Sequence, residues 1–377
     1  MLIRGGTLVD PSQSLHARRD VRLVGGRVAE VGEALGPQPG EEVVEARGQL
    51  VLPGLIDLHV HVFPGGSHYG IDPDPHCLAS GTTTVVDAGS AGAHTFPAFR
   101  RYVIEVAHTR IVPFLNVSVS GMLSPDVGEL EDVRLLDKTA ALRTIGAHRD
   151  LIQGVKVRLS RELVGANARI GLKTALEVSE AAELPLMVHV GDTPLPLTDI
   201  LDELRPGDVL THCFHGREEG ILGAKGQVLA EARVAAGRGV NFDVGHGRGS
   251  FAFAVARRAL AQGFRPGTIS SDLHVYNVDG PVFDLATTMS KFLHLGLALD
   301  EVVEMTTAAP AQVLGKAAAL GTVQPGAAAD VTLVDLSEGR FELTDAMGET
   351  VVATRRLLPI EVIRNGVRVK TRPAHPD

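Results

Sequence analysis

Through the middle of the chain, apolar β-branched runs alternate with stretches rich in Ala, Leu and Glu. This alternation is typical of parallel strands connected by crossover helices. Eight such strands are predicted: GLIDLHVH ending at His61, TTTVVDAG over 82–89, IVPFLNVSV over 111–119, LIQGVKVRL over 151–159, LPLMVHV ending at Val190, DVLTHCF ending at Phe214, GVNFDV ending at Val244, and TISSDLH ending at His274. The pattern therefore predicts an α/β fold, a TIM-like (β/α)8 barrel over residues 53–321.

The two ends of the chain have a different pattern. Residues 1–52 and the segment from Ala329 onward alternate apolar and polar positions over short stretches, separated by turns rich in Gly and Pro. We expect the two ends to pair in one small β-sandwich domain made of residues 1–52 and 322–377. The chain contains no internal repeat that would indicate a solenoid.

Composition narrows the range of partners. Hydrophobic residues make up 44% of the chain and the net charge is -9, without long runs of Lys or Arg. This balance argues against a nucleic-acid partner and favours a small-molecule substrate. No signal peptide or membrane span is evident, and Cys77 and Cys213 are expected to be unbridged. We expect a cytoplasmic protein without a membrane partner, and whether it forms a homo-oligomer is left open.

The clearest local motif is Asp57-Leu58-His59-Val60-His61, at the end of the first barrel strand. Because side chains alternate along a strand, His59 and His61 point to the same side. Two imidazoles held together by a strand suit a zinc-type divalent metal. Paired histidines on a strand are also found as ordinary polar residues, so the motif alone leaves both interpretations open.

Three more residues occupy the ends of later strands, where active sites of this fold gather. His189 and His212 lie at or near the ends of the fifth and sixth strands, and Asp272 lies in the eighth. Each has an ordinary alternative, a core or loop histidine in two cases and an N-cap in the third. Their joint placement favours a metal site, in which Asp272 is also able to exchange protons with water.

Lys156 is the least expected member of this group. In GVKVRL it shares one face of the fourth strand with Gly154 and Arg158. A bare ammonium inside a barrel is costly to desolvate and repels metal cations. Reaction with carbon dioxide would convert the amine to an anionic carbamate that can bridge two metals. The alternative is a lysine paired with a carboxylate.

Taken together, these residues and several flanking motifs resemble the amidohydrolase superfamily, in the binuclear branch that includes dihydroorotases, hydantoinases and D-aminoacylases. The motifs GVKVRLS, THCFHG and SSDLHVYNVDGPVFDL are most similar to a group of amidohydrolases that includes an acetyl-mandelate esterase. This chain departs from the group motif at His215, where the group has Asn.

The resemblance implies two divalent metal ions, expected to be Zn²⁺, bridged by a hydroxide. One ion would be held by His59, His61, Lys156 and Asp272, and the other by Lys156, His189 and His212. Lys156 would carry the carbamate, and Asp272 would act as the catalytic residue that moves a proton to the leaving group.

Substrate contacts are predicted on or just beyond the strand ends, at Arg158, Arg161, His246, His274 and Tyr276. An arginine would suit a substrate carboxylate, although structural ion pairs are an equal alternative for the two arginines. The stretch Gly245–Gly249 lacks the spacing of a phosphate loop and is interpreted as a mobile loop of the active site.

These expectations favour a metal-dependent hydrolase that cleaves an amide or ester bond, as a deacylase or deacetylase of N-acyl amino acids or O-acetyl hydroxy acids. Two enzymatic alternatives remain, a cyclic amide hydrolase similar to dihydroorotase and an aminohydrolase acting on a base. A non-catalytic scaffold relative is the alternative from a different class. The intact set of metal-binding residues argues against it.

Overall fold

The computed structural model describes residues 1–372, so the last five residues of the predicted small domain lie outside the described residues. The strands of this part of the chain are β1 (Leu2–Arg4), β2 (Thr7–Asp10), β3 (Leu15–Arg18), β4 (Asp20–Val24), β5 (Arg27–Gly32), β6 (Val43–Glu45), β7 (Leu50–Pro53), β8 (Leu55–Val60), β9 (Thr82–Ala88), β10 (Arg110–Asn116), β11 (Gly154–Arg158), β12 (Leu186–His189), β13 (Val209–Thr211), β14 (Asn241–Asp243), β15 (Val331–Thr344), β16 (Thr350–Arg364) and β17 (Val367–Val369).

Helices occupy most of the connections between the barrel strands. They are α1 (Pro73–His76), α2 (Phe96–Phe99), α3 (Lys138–Ala147), α4 (Arg161–Val164), α5 (Ala168–Ala181), α6 (Leu197–Glu203), α7 (Ala230–Arg238), α8 (Phe253–Ala261), α9 (Leu285–His294), α10 (Leu299–Glu304) and α11 (Ala308–Val313). Short 3-10 turns lie at Pro11–Gln13, Leu78–Ser80 and Val133–Leu135, and a π-helical segment follows α2 at Arg100–Ile104. None of the helices within residues 1–372 is both long enough and apolar enough to cross a membrane.

The barrel sheet contains seven parallel strands, β8 to β14, in chain order. The fold class is confirmed, but the predicted eighth strand is not continuous. Residues 268–273 close the ring through isolated parallel bridges, from Asp243 to Thr268 and from Val60 to Leu273. The backbone N–H of Ser271 donates to the Asp57 carboxylate (2.9 Å) instead of to a neighbouring strand, and Asp272 has a left-handed backbone (φ 48°). Both features interrupt the extended conformation.

The two ends of the chain share a sheet, as expected. Strand β7 from the N-terminal end pairs antiparallel with β15 from the C-terminal end, within a six-stranded sheet of order β17-β16-β15-β7-β2-β3. A second sheet has the order β5-β4-β1-β6. Apolar side chains from both sheets, among them Ile3, Val21, Val51 and Leu333, form one buried cluster. The predicted domain boundaries themselves stay predictions.

The hairpin of β15 and β16 is longer than the sequence pattern predicts. Its strands have 14 and 15 residues, and their distal halves leave the small sheet. Leu343, Ala353 and Leu357 from these halves belong to the large buried cluster of the barrel. The C-terminal hairpin therefore extends along the barrel and brings its tip, residues 345–349, to the end where the catalytic residues are predicted.

Candidate active site

Six predicted residues meet at the carboxyl ends of the barrel strands. His59, Lys156 and His189 lie within β8, β11 and β12. His61 directly follows β8, His212 directly follows β13, and Asp272 lies in the segment that closes the ring. We call these six residues the floor cluster: His59, His61, Lys156, His189, His212 and Asp272.

The donor atoms of the floor cluster converge. Asp272 Oδ1 lies 3.5 Å from His59 Nε2 and 3.2 Å from His61 Nε2. Lys156 Nζ lies 3.1 Å from His59 Nε2, and His212 Nε2 lies 2.8 Å from His189 Nδ1. A nitrogen of His59, a nitrogen of His212 and an oxygen of Asp272 all lie within 4.8 Å of one another, a spacing that can hold a metal ion.

Each histidine of the floor cluster uses its other ring nitrogen to contact the protein. These outer contacts are His59 Nδ1 with Thr211 Oγ1 (2.8 Å), His61 Nδ1 with Ser90 Oγ (3.0 Å), His189 Nε2 with Ser160 Oγ (3.0 Å) and His212 Nδ1 with the Gly245 carbonyl (2.7 Å). Outer hydrogen bonds of this kind fix the ring orientation and the tautomer of metal-binding histidines. Burial holds the pKa of the His59, His61 and His189 imidazoles well below the ordinary value, so all three are neutral.

The tautomers of His189 and His212 follow from their partners. The Gly245 carbonyl can only accept, so His212 Nδ1 carries the hydrogen and Nε2 is bare. The Ser160 hydroxyl donates to the Gly191 carbonyl (2.8 Å) and accepts from His189 Nε2, which leaves His189 Nδ1 bare as well. Two lone pairs thus face each other at 2.8 Å. This contact is repulsive unless a cation lies against both nitrogens, so the donor set fits a metal ion.

Lys156 is completely buried at the floor of the barrel. Its ammonium group contacts His59 and the Ala88 carbonyl (3.2 Å), and no carboxylate within residues 1–372 forms an ion pair with it. Burial lowers the pKa of Lys156 to about 7. A large fraction of the amine is therefore neutral near neutral pH, the form that reacts with carbon dioxide.

Asp272 and His212 both have left-handed backbones, with φ of 48° and 69°. This conformation costs on the order of 1 kcal/mol for a residue with a side chain, and it turns both side chains toward the cluster. A side chain at Gly247 would clash with Asp272 Oδ2, so glycine keeps that oxygen accessible. The next long helix, α9, is capped by Asp284 and not by Asp272.

Above the floor cluster is an open cavity of about 550 Å³. Three of the five predicted substrate contacts line it, namely Arg158, His274 and Tyr276. Arg158 already pairs with Glu129 (2.8 Å), and its guanidinium lies over the Tyr69 ring. This ion pair agrees with the structural alternative considered for Arg158.

The other two predicted contacts lie outside this cavity. Arg161 begins α4, is exposed and lines a separate depression with Asp192 and Glu218. His246 is fully buried and its Nε2 lies 2.7 Å from Lys291 Nζ. The structure therefore brings neither side chain to the floor cluster, and a substrate contact for either stays an untested prediction.

Several cavity residues were missed from the sequence. They are His68, Tyr69, Ser160, Arg217, Arg248 and Met347. Arg248 belongs to the segment 245–249, interpreted from the sequence as an active-site loop, and an arginine in such a loop is a signal that points to substrate binding. Met347 lies more than 70 residues beyond the eighth strand, and nothing in the strand pattern indicates it.

Comparison with known proteins gives a consistent family. Residues 50–369 match the model of the amidohydrolase family. The chain is 38% identical to a deacetylase of Agrobacterium fabrum over 87% of this chain and 81% of that protein. It is 37% identical to a deacetylase of Enterococcus faecalis over 90% of this chain and 92% of that protein.

Two similar solved structures are described with other enzyme activities. A crystal structure described as an adenine deaminase has a TM-score of 0.91 and 34% identity, covering 98% of each chain. One described as a dihydroorotase has a TM-score of 0.90 and 34% identity, covering 98% of this chain and 99% of that one. All of these relatives carry enzyme names, which argues against the non-catalytic scaffold alternative. The chain therefore belongs to the amidohydrolase family and is a hydrolase enzyme.

Proposed function

We propose that the protein is a metal-dependent deacylase that removes a short acyl group, such as acetyl, from N-acyl amino acids or O-acetyl hydroxy acids. The observation that carries the proposal is the pair of bare nitrogens on His189 and His212, which face each other at the cavity floor. The two deacetylases that resemble this chain over most of its length support the acyl substrate.

Two divalent ions, expected to be Zn²⁺, fit this donor set. His59, His61 and Asp272 would hold one ion, and His189 and His212 would hold the other. Lys156, as a carbamate, would contribute an oxygen to each. Neutral imidazole and carboxylate oxygen are the ligands that zinc takes in catalytic sites. The low pKa of Lys156 supports the carbamate, because only the neutral amine reacts with carbon dioxide.

When bound, the ions would polarise the acyl carbonyl and lower the pKa of water toward neutrality. Asp272 would accept a proton at Oδ2, the oxygen that Gly247 leaves accessible, and deliver it to the departing amine or alcohol. The protein contacts of the outer histidine nitrogens would keep all four rings oriented through this proton transfer. The chain thus supplies both the ligand set and the proton carrier.

Arg248 is the side chain best suited to bind a substrate carboxylate. It lines the cavity, is exposed, and has no side-chain partner among residues 1–372. Arg158 is less available, because Glu129 and the Tyr69 hydroxyl already occupy its guanidinium. A guanidinium that lines the cavity and has no side-chain partner in the described part of the chain favours an acidic substrate, as an N-acyl amino acid is, over a neutral base.

A cyclic amide hydrolase is the second candidate, since one of the similar solved structures is described as a dihydroorotase. A cyclic amide acid would also satisfy Arg248. A base aminohydrolase is less well supported, because adenine has no carboxylate for Arg248 to bind, although a similar structure carries that description.

The experiment is an activity screen of protein reconstituted with zinc and bicarbonate. The substrates are N-acetyl amino acids and O-acetyl hydroxy acids, with dihydroorotate, hydantoins and adenine as competing classes. We expect turnover of the acetylated acids, and a loss of roughly 100-fold in kcat/KM for Arg248→Ala, as is typical when one partner of a charge pair is removed. Arg149→Ala is the matched control, since Arg149 is also exposed but lies before β11, at the opposite end of the barrel. Turnover confined to a competing class would overturn the deacylase proposal.

Cellular context is part of the same proposal. Both cysteines, Cys77 and Cys213, are free and buried, which supports a reducing compartment such as the cytoplasm. A small acid is the proposed partner. Neither a nucleic acid nor a membrane is proposed.

A further inference from the structure

The hairpin tip, residues 345–349 between β15 and β16, is far from the barrel in sequence but reaches the mouth of the active-site cavity. Ala346 and Met347 line this cavity together with residues from the strand ends. The C-terminal hairpin therefore contributes part of the cavity wall, in addition to its role in the small sheet.

The backbone of the hairpin tip is firmly anchored to the barrel. The buried Asp345 carboxylate accepts from the backbone N–H groups of Phe253 (2.8 Å), Met347 (2.8 Å) and Glu349 (2.9 Å). Ala346 donates its backbone N–H to the Phe251 carbonyl (3.0 Å). An ion pair between Arg257 and Glu349 adds a contact from α8. These bonds hold the tip against the barrel.

Met347 is nevertheless about half exposed, with 52% of the residue's surface accessible. Its Sδ and Cγ would lie 3.0 and 3.1 Å from a Cβ atom built on Gly216, so a residue with a side chain at position 216 would crowd it. Methionine is flexible and polarisable, and adapts its shape to apolar partners. An anchored backbone that presents a half-exposed apolar side chain into a cavity is suited to ligand contact.

Other parts of the cavity wall are polar. Arg158, Arg217 and Arg248 line it, with His274 and Ser160 nearer the floor. Met347 thus gives an apolar surface to a cavity in which cations and hydrogen-bonding groups are already present. A substrate that extends from the floor cluster toward the mouth would meet both kinds of surface.

We propose that Met347 is a specificity-determining residue that contacts the apolar side chain of the acid released by deacylation. This inference rests on the proposed function and adds to it the substrate's side-chain class, a branched or otherwise large apolar group. The acyl group would lie at the floor cluster, and the side chain of the acid would lie against the hairpin tip.

The test is a side-chain series in two chemical forms. N-acetyl amino acids and hydantoins, each with hydrogen, methyl or isobutyl as the side chain, are assayed with zinc-loaded wild type, Met347→Ala and Met347→Leu. The methyl and isobutyl compounds are tested as both enantiomers. We expect Met347→Ala to lower kcat/KM for the isobutyl compound by roughly tenfold and to change the hydrogen compound by less than about twofold. Met347→Leu, which keeps the apolar volume, should retain the wild-type preference.

Val352→Ala is the matched control, because Val352 is an exposed apolar residue on the same hairpin and does not line the cavity. Its side-chain preference should equal that of the wild type. Calorimetry of the same compounds gives the ratio of the affinities for the isobutyl and hydrogen compounds without turnover. Equal ratios in wild type and Met347→Ala, by turnover or by binding, would overturn the role of Met347.

The two chemical forms separate this inference from the proposed function. Turnover of hydantoins alone, with the Met347 effect present, would contradict the deacylase proposal and keep the inference about Met347. Turnover of N-acetyl amino acids without a Met347 effect would support the deacylase proposal and contradict the inference about Met347. Absence of both turnover and binding in every series would count against both.

Discussion

The floor and the mouth of the cavity differ in how completely their side chains are partnered. At the floor, all four histidines are held through their outer nitrogens, and Thr211 extends one of these contacts to the buried Asp243 carboxylate. At the mouth, Arg248 has no partner within residues 1–372 and Met347 is half exposed. Complete partnering fixes the geometry of a metal site, whereas unpartnered groups are available to a substrate. We therefore expect changes at the floor to affect catalysis itself, and changes at the mouth to affect the choice of substrate.

The largest effect is expected at Asp272. Asp272→Asn removes the proposed proton acceptor and a metal ligand, so kcat/KM should fall by roughly 1000-fold or more for every substrate, irrespective of its side chain. Steady-state kinetics over the N-acetyl series measures this. Asp284→Asn is the control, because Asp284 is as buried as Asp272 but caps α9. A loss of kcat/KM confined to some substrates would contradict this role, because it would mean that Asp272 affects the choice of substrate and not catalysis itself.

A smaller effect is expected from the outer contacts of the floor. Thr211→Val removes the hydroxyl that orients His59, and metal affinity should fall by about 10- to 100-fold. Competition with a chelator measures this affinity. Thr268→Val is a close control, since Thr268 also donates to Asp243 but does not contact His59. Equal affinities in the two variants would show that the outer contact is not needed.

The smallest effect concerns segment 245–249, which connects the floor of the cavity to its mouth. His246 in this segment contacts the buried side chain of Lys291. Burial lowers the pKa of Lys291 from 10.5 to about 7. At pH values between about 7 and 10.5, Lys291 carries a proton in the unfolded chain but not in the folded chain. The unfolding free energy of the wild type should therefore rise with pH from 7 to 9, relative to Lys291→Met, by at most about 1.4 kcal/mol per pH unit.

Urea denaturation at several pH values measures this slope. Lys225→Met, at an exposed position, should show no difference in slope from the wild type. If the unfolding free energy of Lys291→Met has the same pH dependence as that of the wild type, Lys291 is not buried as a neutral amine. The proposed stabilisation of segment 245–249 by a neutral Lys291 would then be contradicted.

The sequence predicted the floor far better than the mouth. Regular strand alternation brings His59, Lys156 and His189 to one end of a barrel, so their meeting follows from the pattern of local elements. The break in the eighth strand depends on a hydrogen bond from Ser271 to Asp57, 214 residues away in the chain. Such a tertiary contact leaves no periodic signal.

Residues at the mouth come from loops and from a distant hairpin, and their positions depend on tertiary packing. The strand pattern places Arg161 and His246 just beyond strand ends, yet Arg161 begins a short helix and His246 contacts a buried lysine, and both lie outside the cavity. Met347 reaches the cavity because Asp345 accepts a hydrogen bond from the backbone N–H of Phe253, the first residue of α8, more than 90 residues earlier. Strand periodicity contains no information about such contacts.

The most direct test of the account is the metal content per chain of wild type and Lys156→Ala, measured by elemental analysis after reconstitution with zinc and bicarbonate. Lys225→Met serves as the control, since Lys225 is an exposed lysine outside the floor cluster. We predict about two zinc ions per chain for wild type and control, and one or fewer for Lys156→Ala. Wild type without metal, or Lys156→Ala with the full content, would contradict a binuclear site bridged by Lys156.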